Sequence, residues 1–138
     1  MTLAPVLLIE DNLDDVELTR LAFAEAGIEH PLVVASDGAL ALDWLHARGV
    51  HAGRDPEAMP ALILLDLNLP KLDGREVVQA IRANPATGHL PVVALSSSGE
   101  PMDIDASFAS GVDSYLQKPV DFGRFIEEMK RVRAQWLD

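Results

Sequence analysis

Five short apolar runs, separated by longer amphipathic or turn-rich stretches, recur along the 138-residue chain, and this alternation leaves it few folds to adopt. Val6–Ile9, Leu32–Ala35, Ala61–Leu65, Val92–Leu95 and Ser114–Leu116 read as strands, the third being the most apolar. Asp14–Ala26, Gly38–Ala47, Gly74–Ala83, Asp103–Ala109 and Phe122–Leu137 read as helices. Gly27, Gly49, Asn84-Pro85 and Gly111 punctuate their ends. Five such strand–helix units predict a parallel sheet covered by helices on both faces, since strands buried on both sides are apolar throughout. Right-handed crossovers then leave few topologies. The one long connection, Gly49–Pro60, is polar and proline-containing and is expected to be an exposed loop. With no internal repeat, a single domain over residues 1–138 is expected, with no effector domain after the fifth helix.

Composition narrows the function classes. Nearly half the residues are apolar, enough for one packed core, and the absence of cysteine excludes disulfides and thiolate metal sites. A net charge of −11 argues against nucleic-acid and anionic-membrane partners, which demand clustered Lys and Arg. Arg124, Lys130, Arg131 and Arg133 do cluster, but they share their helix with Glu127 and Glu128 and read as a solvated face. No apolar run is long enough to span a bilayer and no secretion signal opens the chain, so a cytoplasmic protein is expected. The four histidines lack ligand spacing.

In an open α/β sheet, ligands bind beyond the carboxyl ends of the strands. Glu10 and Asp11 follow the first strand, Asp66 the third, Ser96 the fourth and Lys118 the fifth. Each has an ordinary reading alone: acids near a helix start suit its dipole, and Asp and Ser are common turn residues. Together they place three carboxylates, a hydroxyl and an ammonium on one edge. Three converging carboxylates repel one another and call for a compensating cation. Mg²⁺ suits an all-oxygen donor set. Asp11 and Asp66 are the expected direct ligands, the backbone carbonyl of Asn68 a third, and Glu10 a ligand through water, with Lys118 neutralising the remainder.

The runs Leu8-Ile9-Glu10-Asp11-Asn12, Leu64-Leu65-Asp66-Leu67-Asn68-Leu69-Pro70, Asp73-Gly74, Pro91-Val92-Val93-Ala94-Leu95-Ser96 and Tyr115-Leu116-Gln117-Lys118-Pro119 resemble a bacterial two-component response-regulator receiver domain along nearly the whole chain. The resemblance implies a flavodoxin-like, doubly wound sheet in the order 2-1-3-4-5 with five helices. It makes Asp66 the phosphoacceptor, Glu10 and Asp11 the acidic pair, Lys118 the phosphate-pairing lysine, and Ser96 and Tyr115 the switch residues. It also implies a cis Lys118-Pro119 bond that aims the lysine, and a sensor histidine kinase as phosphoryl donor. Ser at the switch position and Ser98 two residues on are the minor departures, the latter leaving the lifetime of the phosphoryl group open.

Asp37-Gly38, Leu42-Asp43-Trp44-Leu45, the Gly49–Pro60 loop, Pro70-Lys71-Leu72-Asp73-Gly74-Arg75-Glu76, Gly111-Val112-Asp113-Ser114-Tyr115, Val120-Asp121-Phe122 and Trp136-Leu137 further resemble stand-alone regulators paired with bacterial phytochrome kinases. A phosphatase of the haloacid-dehalogenase type is disfavoured, because Asn68 stands where that chemistry wants a second acid. A docking module that works without phosphorylation need not keep every site residue. Output from a stand-alone domain passes through a partner surface, and a homodimer through the fourth helix, fifth strand and fifth helix is expected. Phe125, Met129, Val132 and Trp136 should pack on the sheet, leaving Ile104, Phe122 and Ile126 to form an apolar patch.

Overall fold

Successive side chains of a strand point to opposite faces, so a strand apolar at every position needs cover on both sides. The computed structural model, which describes residues 3–67, 74–118 and 121–137, provides it. In chain order the elements are β1 (Val6–Ile9), α1 (Leu13–Glu25), β2 (Leu32–Ala35), α2 (Gly38–Leu45), a 3-10 turn (Gly49–His51), β3 (Leu62–Asp66), α3 (Gly74–Ala83), β4 (Val92–Ser96), α4 (Pro101–Ser110), β5 (Ser114–Gln117) and α5 (Phe122–Val132), which runs into a π turn (Arg133–Leu137). The strands form one parallel sheet in the order β2-β1-β3-β4-β5. Leu7, Ile9, Ile63, Leu65, Val92 and Ala94 face Trp44, Leu45, Val77, Val78 and Ile81 in one core. Val6, Leu8, Leu62, Leu64, Val93 and Leu95 face Val16, Ala22, Phe23, Phe125, Met129 and Val132 in the other. Each fully buried aliphatic side chain contributes about 1.5–3 kcal/mol, so these two layers hold the sheet between its helices.

Caps set where the helices begin. Asn12 Oδ1 accepts from the backbone N–H of Asp14 and Asp15, Asp37 Oδ1 from Leu40 and Asp121 Oδ1 from Gly123. Gly111 ends α4 with φ of 117°, where a side chain would be strained. Gly74 has a different reason: a Cβ there would lie 2.6 Å from Leu67 Cα. That close approach seats the start of α3 against the end of β3, beside Asp66.

Several boundaries differ from those expected. β3 and β4 each run one residue further, taking Asp66 and Ser96 into the ladder, and α4 starts earlier because Pro101 suits the first helical turn. α2 stops at Leu45, since Ala47 takes a positive φ of 50° and the chain turns away. The expected exposed loop after it is pinned by Arg54, whose guanidinium lies 3.8 Å from the centroid of the Trp44 ring. Arg54 Nε donates to Trp44 O at 2.8 Å and Nη1 to Ala58 O at 2.7 Å. The closing helix is α-helical only to Val132 before widening. The Lys118-Pro119 bond and Asn68 lie outside the described residues.

Candidate functional site

Parallel pairing brings the carboxyl ends of β1, β3, β4 and β5 to one edge. Glu10 leaves β1 still tied to the sheet, its N–H bonded to Ala35 O at 3.0 Å. Asp66 closes β3 and Ser96 closes β4, both buried. Lys118 follows β5, with its N–H 2.6 Å from Ser96 O. From there its ammonium reaches Glu10 Oε1 at 3.0 Å, Asp66 Oδ2 at 3.1 Å and Asp15 Oδ2 at 3.1 Å. The carboxylate oxygens of Glu10, Asp11 and Asp66 lie within 4.8 Å of one another, Glu10 and Asp66 buried and Asp11 exposed. The structure thus brings together all the predicted acids among the described residues, with Lys118 and the Ser96 strand end beside them.

Burial raises the Glu10 carboxyl to about 7; the hydrogen bond and charge of Asp66 add to this, and Lys118 opposes it. Burial of Lys118 works against its charge, but its bonds to Glu10 and Asp15 and the negative charges of Asp66 and Glu10 outweigh that and hold its ammonium above the ordinary lysine value. One ammonium therefore stands against Glu10, Asp11, Asp15 and Asp66, and the site stays electronegative. Hard oxygen donors, crowded and only partly neutralised, fit a divalent cation such as Mg²⁺.

Asp15 was not anticipated. In sequence it reads as an acid in the first turn of a helix, and only the position of Lys118, 103 residues away, gives it another use. Ser98 was anticipated only as a departure from pattern, yet it is where Ser96 and Tyr115 meet. Its N–H donates to Ser96 Oγ at 3.1 Å and its carbonyl accepts from the Tyr115 hydroxyl at 2.6 Å. Its own hydroxyl donates to Asp103 Oδ2 at 2.6 Å and accepts from Glu100 N–H at 3.2 Å, holding the start of α4. On the expected dimer face, Ile104 and Ile126 are half-buried and Phe122 is exposed. Ile126 packs against the core formed by α1 and α5. Met102 and Phe108, both on α4, are more exposed than Ile104, although sequence periodicity had not singled them out.

A family model described as a response regulator receiver domain matches residues 6–130. The chain belongs to the response-regulator receiver family. Response regulator Rcp1 of Synechocystis sp. is 35% identical over 133 residues, 96% of this chain and 88% of that protein. A solved Mn²⁺-bound form of Rcp1 superposes with a TM-score of 0.85 at 35% identity, covering 98% of this chain and 95% of that one. The phosphorylated cyanobacterial phytochrome response regulator RcpA gives a TM-score of 0.88 at 36% identity, over 99% and 96% of the two chains. Response regulator RPA3017, in red light signaling of R. palustris, gives 0.91 at 36%, over 99% and 95%. The five-stranded order is that of this flavodoxin-like family. Among the described residues of this receiver, no helix is long and apolar enough to cross a membrane.

Proposed function

We propose that Asp66 accepts a phosphoryl group from the phosphohistidine of a sensor histidine kinase, and that this kinase is of the phytochrome type. The observation that carries the first part is the convergence of buried Asp66 with Glu10, Asp11 and Lys118 at the sheet edge. The second part is supported by two relatives: RcpA is a cyanobacterial phytochrome response regulator, and RPA3017 is a response regulator in red light signaling.

Asp11 and Asp66, with the Asn68 carbonyl and Glu10 through water, are the residues that would hold Mg²⁺. When bound, the ion supplies neutralisation of the charge that builds on the transferring group. A carboxylate oxygen of Asp66 attacks the phosphorus as the bond to the histidine nitrogen breaks, and the imidazole leaves with the bonding pair. Lys118 pairs with a phosphoryl oxygen. Ser96 Oγ accepts from Ser98 N–H in the present structure, so its own proton is available to donate to another phosphoryl oxygen. A turn of Ser96 toward the phosphoryl group would bear on Ser98, which also holds the Tyr115 hydroxyl and the start of α4. Water later cleaves the acyl phosphate and returns Asp66 to a carboxylate.

The output surface in this reading is a homodimer through α4, β5 and α5. Phosphotransfer profiling is the test: each autophosphorylated histidine kinase of the source organism is mixed with the chain and Mg²⁺. A phytochrome-type kinase should lose its label to Asp66 fastest. Preferred transfer from an unrelated kinase would overturn the pairing, and no transfer from any kinase would overturn the phosphoacceptor role.

A further inference from the structure

Glu100 occupies the capping position of α4, but its side chain caps no N–H of the helix. Asp103, the third helical residue, stands where an acid commonly reaches back to the N–H of the capping residue. Here a hydroxyl is inserted between the two. Glu100 N–H donates to Ser98 Oγ at 3.2 Å, and that hydroxyl donates its one proton to Asp103 Oδ2 at 2.6 Å. Ser98 thus caps α4 from outside the helix. It is bound on its other side as well: its carbonyl accepts from the Tyr115 hydroxyl at 2.6 Å, and its N–H donates to Ser96 Oγ at 3.1 Å.

The carbonyl that holds Tyr115 belongs to the peptide leading into Gly99, and a glycine leaves the rotation of that peptide largely free. What fixes it is the turn that the Ser98 side chain closes around Gly99 by accepting from Glu100 N–H, with Asp103 locking the hydroxyl. We propose that Asp103 is a positioning residue: through the Ser98 hydroxyl it aims the carbonyl on which Tyr115 rests, and so couples the first turn of α4 to Tyr115 and to Ser96. The coupling to Tyr115 stands apart from any phosphorylation. Its extension through Ser96 to the site rests on the reading of Asp66 as phosphoacceptor.

This link is a hydrogen bond, and it is separable from the negative charge of Asp103. Asparagine there keeps an oxygen acceptor and loses the charge, whereas alanine loses both. A double-mutant cycle in urea, on metal-free protein, reads the coupling. Tyr115→Phe is introduced into wild type, Asp103→Asn, Asp103→Ala, Ser98→Ala and, as a control for an exposed acid of the same helix, Asp105→Ala. Removal of the Tyr115 hydroxyl should raise the unfolding equilibrium constant by one common factor in wild type, Asp103→Asn and Asp105→Ala. In Asp103→Ala and Ser98→Ala that factor should be smaller by at least about twofold, the lower range for residues of one network. An undiminished factor in Asp103→Ala reduces Asp103 to a local cap and overturns the proposal. So does an equal loss in Asp103→Asn, which makes its charge the cause.

Tyr115 is the one tyrosine of the chain, so ring-carbon labelling of tyrosine gives it a signal of its own in NMR spectra. If bound beryllofluoride draws Ser96 Oγ from Ser98 N–H, a Ser98 held at its other atoms passes the change to Tyr115, and a loose one absorbs it. With Mg²⁺ and beryllofluoride the Tyr115 signal should therefore shift in wild type and Asp103→Asn, and shift less in Asp103→Ala. Equal shifts in all three overturn the link between Asp103 and the site. A wild type that takes no beryllofluoride overturns the phosphoacceptor reading, while the cycle still decides the coupling of Asp103 to Tyr115.

Discussion

Burial moves the Glu10 carboxyl well above its ordinary value, and this carries a prediction about pH. A carboxyl raised to about 7 in the fold, against an ordinary value of 4.5, binds its proton more tightly folded than unfolded. Linkage then makes its contribution to stability greatest below pH 4.5, and that contribution is lost as pH rises through about 7. In EDTA, the urea-derived stability of wild type relative to Glu10→Gln should therefore rise from pH 7.5 to pH 5.5. Wild type should recover on the order of 1–3 kcal/mol relative to the variant. A difference independent of pH would show that Glu10 is not held in this way. The acids at the strand ends were legible in the sequence because apolar runs stop abruptly at them. Asp15 and Ser98 were not, because what they do depends on Lys118 and Tyr115, brought in across the sheet.

At the scale of elements, two arginines carry more structure than their positions in the chain suggest. Arg82, near the end of α3, donates to the carbonyls of Gly111, Gly88 and Leu90 and pairs with Asp113 Oδ2 at 2.8 Å. It thereby binds the end of α3 to the approaches of β4 and β5. Arg82→Ala should cost roughly 2–4 kcal/mol in urea denaturation, since several carbonyls lose a charged donor together. Lysine should restore little, because a point charge does not fork to several acceptors. A cost below about 0.5 kcal/mol, the level of an ordinary surface change, would contradict the bracket. Arg54 does the same locally, and Arg54→Ala should speed proteolytic cleavage within residues 49–60 while leaving urea-derived stability nearly unchanged. Cleavage at the wild-type rate would mean that the stacking on Trp44 does not hold the loop. The ten regular elements were legible from length, periodicity and Gly/Pro punctuation. Their ends shifted where a cap or a backbone turn decides them, as at Pro101 and Ala47. The pinned loop was missed because an arginine among polar residues does not announce an aromatic partner ten positions back.

For the whole molecule, residue patterns alone led to a parallel sheet with two helical layers, and the strand order followed from the family resemblance and is the one observed. The proposed dimer belongs to this scale. Met102 and Phe108 are exposed on α4, and Phe122 begins α5, giving an α4–β5–α5 interface apolar side chains to bury. A net charge of −11 opposes self-association, but only over about 8 Å at physiological salt. Sedimentation equilibrium with and without beryllofluoride should find a dimer that Phe108→Glu weakens, whereas Ile126, packed against the core, is no clean probe of the face. A monomer in both states would refute the interface, and a dimer indifferent to Phe108→Glu would place it elsewhere. The claim on which the rest depends is that Asp66 is the acceptor, and intact-mass measurement after incubation with acetyl phosphate and Mg²⁺ tests it most directly. The expected result is one phosphoryl group per chain in wild type, none in folded Asp66→Asn, and none when EDTA removes the metal. Full incorporation in Asp66→Asn would contradict it.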